Sequence, residues 1–232
     1  MITIKDAIKF EISPVEIKNI IKKVVEAINI STTDNIRNRH PNIQFDCLLR
    51  GYIGEFCIVK WLESNGVFFS DTNYIQDSDN IDIDFLYKEK NIELKTSLVP
   101  DVDRFIETAI AKRDIKLIKR GNTNINDLRG DLHLQIYFDQ KRKSKDDWLK
   151  VQNINLKSVD LDYLYNSFCA RAYQNSAFFV GWIDKDKLVN NINALDENNK
   201  CWSFSDSKRF FWNCKIQTSR KPIDLIDYLR SI

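Results

Sequence analysis

The chain has 232 residues, of which 43% are hydrophobic, so it can bury the core of one large domain, with or without an appended lobe. The absence of a long apolar run and of an N-terminal apolar segment argues against a membrane span and a signal peptide, and predicts a cytoplasmic protein. Five cysteines without a Cys-x-x-Cys pair argue against a disulfide framework or a zinc site, and two histidines, His40 and His133, weaken any Ser-His-Asp triad.

The net charge of +2 hides a local excess of positive charge. Residues 112–145 contain ten basic and four acidic side chains. The first basic residues of this stretch fall at helical spacing, and the last ones form the cluster Lys141-Arg142-Lys143 with Lys145. A basic patch of this kind suits a polyanionic partner, although a solvated helix face followed by a charged loop gives the same pattern.

Helical signals dominate the first third of the chain. Ser13 is a typical N-cap, Pro14 suits the first helical position, and Glu16 completes a capping box, so a helix is predicted to begin here. A polar stretch follows, and its residues Arg37, Arg39 and His40 are weak candidates for a DNA-clamping loop. A second helix is predicted over residues 45–63 and ends at Asn65-Gly66.

Strand and helix patterns alternate along the rest of the chain. Strands are predicted over residues 67–69, 82–87, 92–96, 132–138 and 177–183, with one or two more within residues 202–216. Helices are predicted over residues 105–119, 161–173, 184–190 and 222–229, with a loop over 97–103 and a polar linker over 121–130. This order predicts an α/β fold with a mixed central sheet flanked by helices.

The predicted hairpin over residues 82–96 carries acidic side chains on one arm and Glu93-Leu94-Lys95 on the other. Because side chains alternate across a strand, Glu93 and Lys95 are expected on one face and Leu94 on the core face. With a turn centred on residues 89–90, Asp84 would lie across from Lys95 and next to Glu93.

Two carboxylates and a lysine in this arrangement can support phosphodiester hydrolysis. Asp84 and Glu93 are candidate Mg²⁺ ligands, with the Leu94 carbonyl as a third oxygen. Lys95 would hold or activate the attacking water or stabilise the developing charge, and stabilisation is the easier role for an ammonium group between carboxylates. Taken alone, a Glu-x-Lys on a strand is an ordinary alternation of surface charges.

The second predicted helix contains Gly51 and Gly54, which cost helix stability and therefore predict close packing against the sheet that bears Asp84. Glu55 follows directly and would then point toward the same cleft. A surface position for Glu55 is the alternative.

Gly-x-x-Gly-Glu on a helix, an aspartate entering a strand, and Glu-Leu-Lys-Thr-Ser on the next strand together resemble the PD-(D/E)xK nuclease superfamily, whose fold is restriction-endonuclease-like. The matching core covers residues 45–138, with a further strand at 178–183. The resemblance implies a metal site formed by Glu55, Asp84, Glu93 and Lys95. The proline often found before the aspartate is missing here, so Asp82 remains an alternative to Asp84.

The resemblance further implies a Mg²⁺-dependent DNA endonuclease that acts on double-stranded DNA, most simply a stand-alone Type II restriction enzyme working as a homodimer. Another nuclease of the same fold, or a DNA-binding protein that has lost catalysis, are the alternatives. The whole chain is expected to be one nuclease domain, with a catalytic core at residues 45–183, an N-terminal helical segment at 1–44 and a C-terminal lobe at 184–232. The candidate DNA-binding residues are Lys112, Arg113, Lys116, Lys141, Arg142 and Lys143.

Overall fold

A computed structural model describes residues 1–30, 39–69, 83–169, 176–204 and 209–232. Seven α-helices and eight β-strands lie in these ranges. The helices are α1 (Pro14–Ile30), α2 (Pro41–Ser64), α3 (Ile106–Lys112), α4 (Arg142–Lys150), α5 (Leu161–Phe168), α6 (Lys185–Asn193) and α7 (Asp224–Ser231). The strands are β1 (Ile8–Glu11), β2 (Phe85–Tyr87), β3 (Lys90–Val99), β4 (Ile118–Lys119), β5 (Leu132–Lys141), β6 (Ser176–Asp184), β7 (Cys201–Ser203) and β8 (Phe210–Trp212).

The central sheet has five strands in the order β1-β6-β5-β3-β2. Strands β3 and β5 run parallel, and the other neighbours are antiparallel, so the sheet is mixed as predicted. The parallel register pairs Glu93 with His133 and Lys95 with Gln135. A second, three-stranded sheet in the order β4-β8-β7 lies outside the central one.

Two apolar cores cover the two faces of the central sheet. Ile92 and Leu94 of β3 pack in the core that includes α1 and α2. Val99 of β3 and Tyr137 of β5 pack in the other core, together with α3 and α6. Since neighbouring side chains on a strand point to opposite faces, Glu93 and Lys95 lie on the face of Val99. None of the helices in the described ranges combines the length and apolar character that a membrane crossing requires.

Helix α1 begins and helix α2 ends where their local signals indicate. The Ser13 hydroxyl accepts a hydrogen bond from the Glu16 amide at 3.3 Å, and the Glu16 carboxylate accepts one from the Ser13 amide at 2.9 Å, which completes the predicted capping box. Helix α2 ends before Gly66, whose φ of 74° is a conformation that glycine adopts without strain. Its start at Pro41 precedes the predicted start by one turn.

The helix predicted over residues 105–119 is wrong beyond Lys112, where α3 ends. Arg113 is extended, and the Ile115 amide donates to the carbonyl of Cys214 at 2.8 Å. Residues 113–119 therefore pair with the C-terminal part of the chain, which competes successfully with the local helical period. The Lys112–Lys119 basic residues consequently do not share one helix face.

Two smaller predictions also fail. Residues 67–69 are not a strand, and β3 continues through residues 97–99, which were predicted to be a loop. The Lys141-Arg142-Lys143 cluster lies at the end of β5 and the start of α4, so it is not the charged loop of the alternative explanation. Part of the helix predicted over residues 161–173 lies outside the described residues.

Candidate active site

The predicted Glu-x-Lys pair lies in the middle of β3, and both oxygens of its glutamate are engaged. Glu93 is buried, with 4% of its surface exposed. Lys95 Nζ lies 2.5 Å from Glu93 Oε1, and His133 Nδ1 lies 2.8 Å from Oε2. The parallel pairing of β3 with β5 places His133 next to Glu93. The side chain of Lys95 remains 24% exposed, so this network reaches solvent through the lysine.

The network keeps Glu93 ionised. Burial by itself raises the pKa of the Glu93 carboxyl, but the charge of Lys95 and the hydrogen bond with His133 outweigh burial and lower the pKa to about 2. A carboxylate only accepts hydrogen bonds, so Nδ1 of His133 carries the proton between the two groups. A buried negative charge is thus held in a fixed orientation.

The side chain of His133 packs directly against Gly130. A Cβ atom at Gly130 would come within 2.7 Å of His133 Cε1, closer than such atoms approach in proteins. The side chain is 1% exposed, and its Nε2 atom has no hydrogen-bond partner among the described residues. No local pattern singles out His133, since one histidine on a strand is more often a core residue than part of a site.

Asp84 immediately precedes β2 and caps the edge of β3. Its Oδ2 atom accepts a hydrogen bond from the Leu94 amide at 2.6 Å, and its own amide donates to the Ile92 carbonyl at 2.9 Å. The ladder pairs Phe85 with Ile92, which aligns Asp84 with Glu93 rather than with Lys95.

The difference in alignment arises at the turn. Tyr87 pairs with Lys90, so the turn falls on residues 88–89 instead of 89–90. Lys88 adopts a φ of 51°, an uncommon conformation for a residue other than glycine. The alternative aspartate, Asp82, lies outside the described residues.

Helix α2 packs tightly on β3 at Gly54. A Cβ atom there would lie 2.6 Å from Thr96 Cγ2 and 3.4 Å from Leu94 Cδ2, so the close packing predicted for Gly54 is confirmed. At Gly51 a Cβ atom would meet nothing within 4 Å, so the same prediction is wrong there. Glu55 is half-buried on this helix, which covers the face of β3 opposite to Glu93. Its role in the site stays a prediction.

Gln135 on β5 is fully buried, and it joins β3 to Lys116 in the basic stretch of residues 112–145. Its Nε2 atom donates to the Lys95 carbonyl at 3.0 Å and to Ser97 Oγ at 3.1 Å, while its Oε1 atom accepts from the Lys116 amide at 3.1 Å. The backbone around Lys95 is therefore fixed relative to Lys116.

The candidate DNA-binding residues differ in how available they are. Lys112 and Lys143 are exposed. Arg113 forms a bidentate pair with the buried Asp103, at 2.6 and 2.8 Å, and Lys141 donates to the carbonyl of Arg104 at 2.9 Å. These two side chains stabilise the protein's own structure.

The remaining two candidates lie in more strongly positive surroundings. The side chain of Arg142 is 52% exposed and lies 3.9 Å from Asp146. Lys116 is half-buried, and burial together with the charges of Arg142 and Arg50 lowers its pKa to about 8. Of the weaker loop candidates, His40 caps α2 by accepting from the Asn42 amide at 3.3 Å, and Arg37 lies outside the described residues.

Comparison with known proteins gives no further guide to this site. No protein-family model matches the chain, and no curated protein and no solved structure is similar to it.

Proposed function

We propose that this protein is a Mg²⁺-dependent DNA endonuclease with a restriction-endonuclease-like core. The observation that carries the proposal is the Glu93 carboxylate, which is buried and ionised against Lys95 and aligned across the hairpin with Asp84. Keeping a charged carboxylate in a core costs free energy unless it is paired, and such sites are often functional.

The donor set fits a magnesium ion. Asp84 and Glu93 supply the hard oxygen ligands that Mg²⁺ prefers, and this ion commonly binds through one or two carboxylates plus substrate phosphates and water. In the part of the chain that is described, no group of three or more His, Cys, Asp or Glu side chains is placed to hold a metal. A two-carboxylate site completed by DNA and water is the arrangement that these residues support.

The residues of the chain would divide the work as follows. Asp84 and Glu93 would hold Mg²⁺, which supplies charge neutralisation at the phosphate and acidifies a water molecule. Lys95, the partly exposed member of the network, would stabilise the negative charge that develops on the phosphate oxygens. His133 forms a hydrogen bond with the second oxygen of Glu93 and so fixes the orientation of the carboxylate.

The finer proposal is a sequence-specific Type II restriction enzyme that cuts double-stranded DNA as a homodimer, since a palindrome presents two symmetric strands. A repair, junction-resolving or anti-phage nuclease of the same fold would use the same residues. A DNA-binding protein without catalysis is the candidate from a different class.

Digestion of a mapped DNA, with Mg²⁺ and with EDTA, tests the proposal. We expect Mg²⁺-dependent cleavage that Glu93→Ala abolishes. Discrete fragments favour restriction, and indiscriminate or structure-dependent nicking favours the other nucleases. Equal behaviour of the native protein and Glu93→Ala in Mg²⁺ would exclude the enzyme and leave the DNA-binding protein.

A further inference from the structure

Two arginines converge on one sulfur atom next to the start of α2. Arg39 Nη1 lies 3.2 Å from Cys47 Sγ, and Arg50 Nη2 lies 3.3 Å from the same atom. Because both guanidinium groups contact one sulfur, their charges are held close together. Like charges repel, so this arrangement is costly unless an anion shares the space.

Behind these arginines, two cations share a single carboxylate. Asp46 is fully buried, and it pairs with Arg50 Nε at 2.9 Å and with Lys145 Nζ at 2.6 Å. Lys145 is itself 3% exposed and also donates to Gln140 Oε1 at 2.7 Å. One carboxylate cannot neutralise two cations, so the buried triad keeps a net positive charge.

Further positive charge surrounds the triad. Arg142 begins α4, and its neighbour Asp146 also interacts electrostatically with Arg50 and Arg39. Lys116 interacts with Arg142, Arg50 and Arg39, and its lowered pKa reflects burial first and these positive charges second. Among the described residues, the five cations Arg39, Arg50, Lys116, Arg142 and Lys145 thus face the two carboxylates Asp46 and Asp146.

The location of this basic cluster, defined as Arg39, Arg50, Lys116, Arg142 and Lys145, suits ligand binding. Arg50 lies on the first half of α2, and Arg39 lies two residues before that helix begins. Arg142 and Lys145 lie on α4, which starts directly after β5 ends, and Lys116 lies between α3 and β4. Ligands of sheets with parallel strands commonly bind beyond the carboxyl ends of those strands, and β5 is parallel to β3. Gln135 connects Lys116 to Lys95, so the cluster adjoins the network of Glu93, Lys95 and His133 without sharing its side chains. Two members of the cluster, Lys116 and Arg142, are also candidate DNA-binding residues.

We infer that the basic cluster is a binding site for a phosphate group. Planar guanidinium groups match the oxygens of phosphate, and Arg39, Arg50 and Arg142 supply three of them. A phosphate monoester carries nearly two negative charges at neutral pH, which would balance most of the excess of three. The site would take inorganic phosphate or the phosphate of a nucleotide or nucleic acid.

Alkylation of cysteines in the native protein tests the site without any substitution. Cys47 lies between Arg39 and Arg50, so a bound phosphate would cover it. Cys201 is also half-buried and lies on β7, so it serves as an internal reference. We expect inorganic phosphate, compared with chloride at the same ionic strength, to slow iodoacetamide labelling of Cys47 and not of Cys201. Equal labelling of Cys47 in both salts would overturn the inference.

Calorimetric titration with inorganic phosphate measures how much individual cations contribute to the affinity for phosphate. Arg39→Gln and Arg142→Gln should each weaken phosphate binding by about tenfold or more, the loss expected for one hydrogen bond to a charged group. Lys150→Gln is the matched control, because Lys150 is exposed on α4 and pairs with Asp147 at 3.2 Å. Unchanged affinity in both arginine variants, or an equal loss in the control, would contradict the site.

Competition between DNA and inorganic phosphate identifies the source of the phosphate. Duplexes with a 5′-phosphate or a 5′-hydroxyl are added to the calorimetric titration with inorganic phosphate, in EDTA, where no cleavage occurs. If both duplexes compete, the site binds backbone phosphates. If only the 5′-phosphorylated duplex competes, the site binds the phosphate at a chain end. If neither duplex competes, the site binds a free phosphate compound. All three results are consistent with the phosphate site, and none of them depends on endonuclease activity. A failure of the proposed function can therefore be distinguished from a failure of the phosphate site.

Discussion

Replacing Glu93 by glutamine removes one charge from a buried network while keeping the shape of the side chain. Burial opposes ionisation of Glu93, but Lys95 and His133 lower its pKa from 4.5 to about 2. A depression of this size corresponds to about 3 kcal/mol of stability. A lowered pKa stabilises the fold above the unfolded-state value, and the stabilisation disappears as the pH falls toward the folded-state value. We therefore expect Glu93→Gln to lower the free energy of unfolding by about 3 kcal/mol at neutral pH.

Urea unfolding of both proteins at two pH values measures this contribution. The difference between native protein and variant should shrink to about 2 kcal/mol at about pH 3.5, because most of Glu93 is then protonated in the unfolded chain but still ionised in the folded protein. Both proteins contain the same other carboxyl groups, so the contributions of those groups to the pH dependence of stability cancel in the difference. Glu89→Gln, on the exposed turn of the hairpin, should cost less than about 0.5 kcal/mol. A Glu93→Gln difference that is near zero or independent of pH would refute the reasoning.

Four further substitutions test the Glu93 network and the packing of α2 on β3. Lys95→Met frees one oxygen of Glu93, so Mg²⁺ affinity without DNA should rise by about tenfold or more by calorimetry, and an unchanged affinity would contradict the shared site. His133→Ala leaves the other oxygen without its donor and should cost about 1–3 kcal/mol in thermal unfolding, whereas no loss would exclude an orienting role. Gly54→Ala should destabilise the fold through a contact at 2.6 Å, while Gly51→Ala, with open space around it, should stabilise the helix by up to about 1 kcal/mol; the opposite order of melting temperatures would be inconsistent with the packing of α2.

Local signals were sufficient for the elements whose determinants are close in sequence. The capping box at Ser13 and the glycine at residue 66 located the ends of α1 and α2. Residues 113–119 could not be predicted in the same way, because their partners are residues 210–216, about a hundred residues away in the chain, and the periodic basic residues imitate a helix. Long-range pairing leaves no local pattern.

The candidate site was predictable to a similar extent. Strand alternation correctly placed Glu93 and Lys95 on one face. Strand alternation could not reveal that Gln135 is buried. The segment around Lys116, which contacts Gln135, is irregular, and its path depends on tertiary contacts. The spacing of Asp46 and Arg50, four residues apart on a helix, was a readable signal for an ion pair, but nothing local indicated that Lys145 joins it.

Single-turnover cleavage of duplex DNA in Mg²⁺ tests the central claim most directly. The native protein is compared with Lys95→Ala and with Lys90→Ala, a lysine on the same strand but outside the Glu93 network. We expect the native protein and Lys90→Ala to cut at the same rate and Lys95→Ala to be slower by about a hundredfold or more, the usual loss for a group that stabilises developing charge. Equal rates for all three proteins, or no Mg²⁺-dependent cleavage by the native protein, would contradict it.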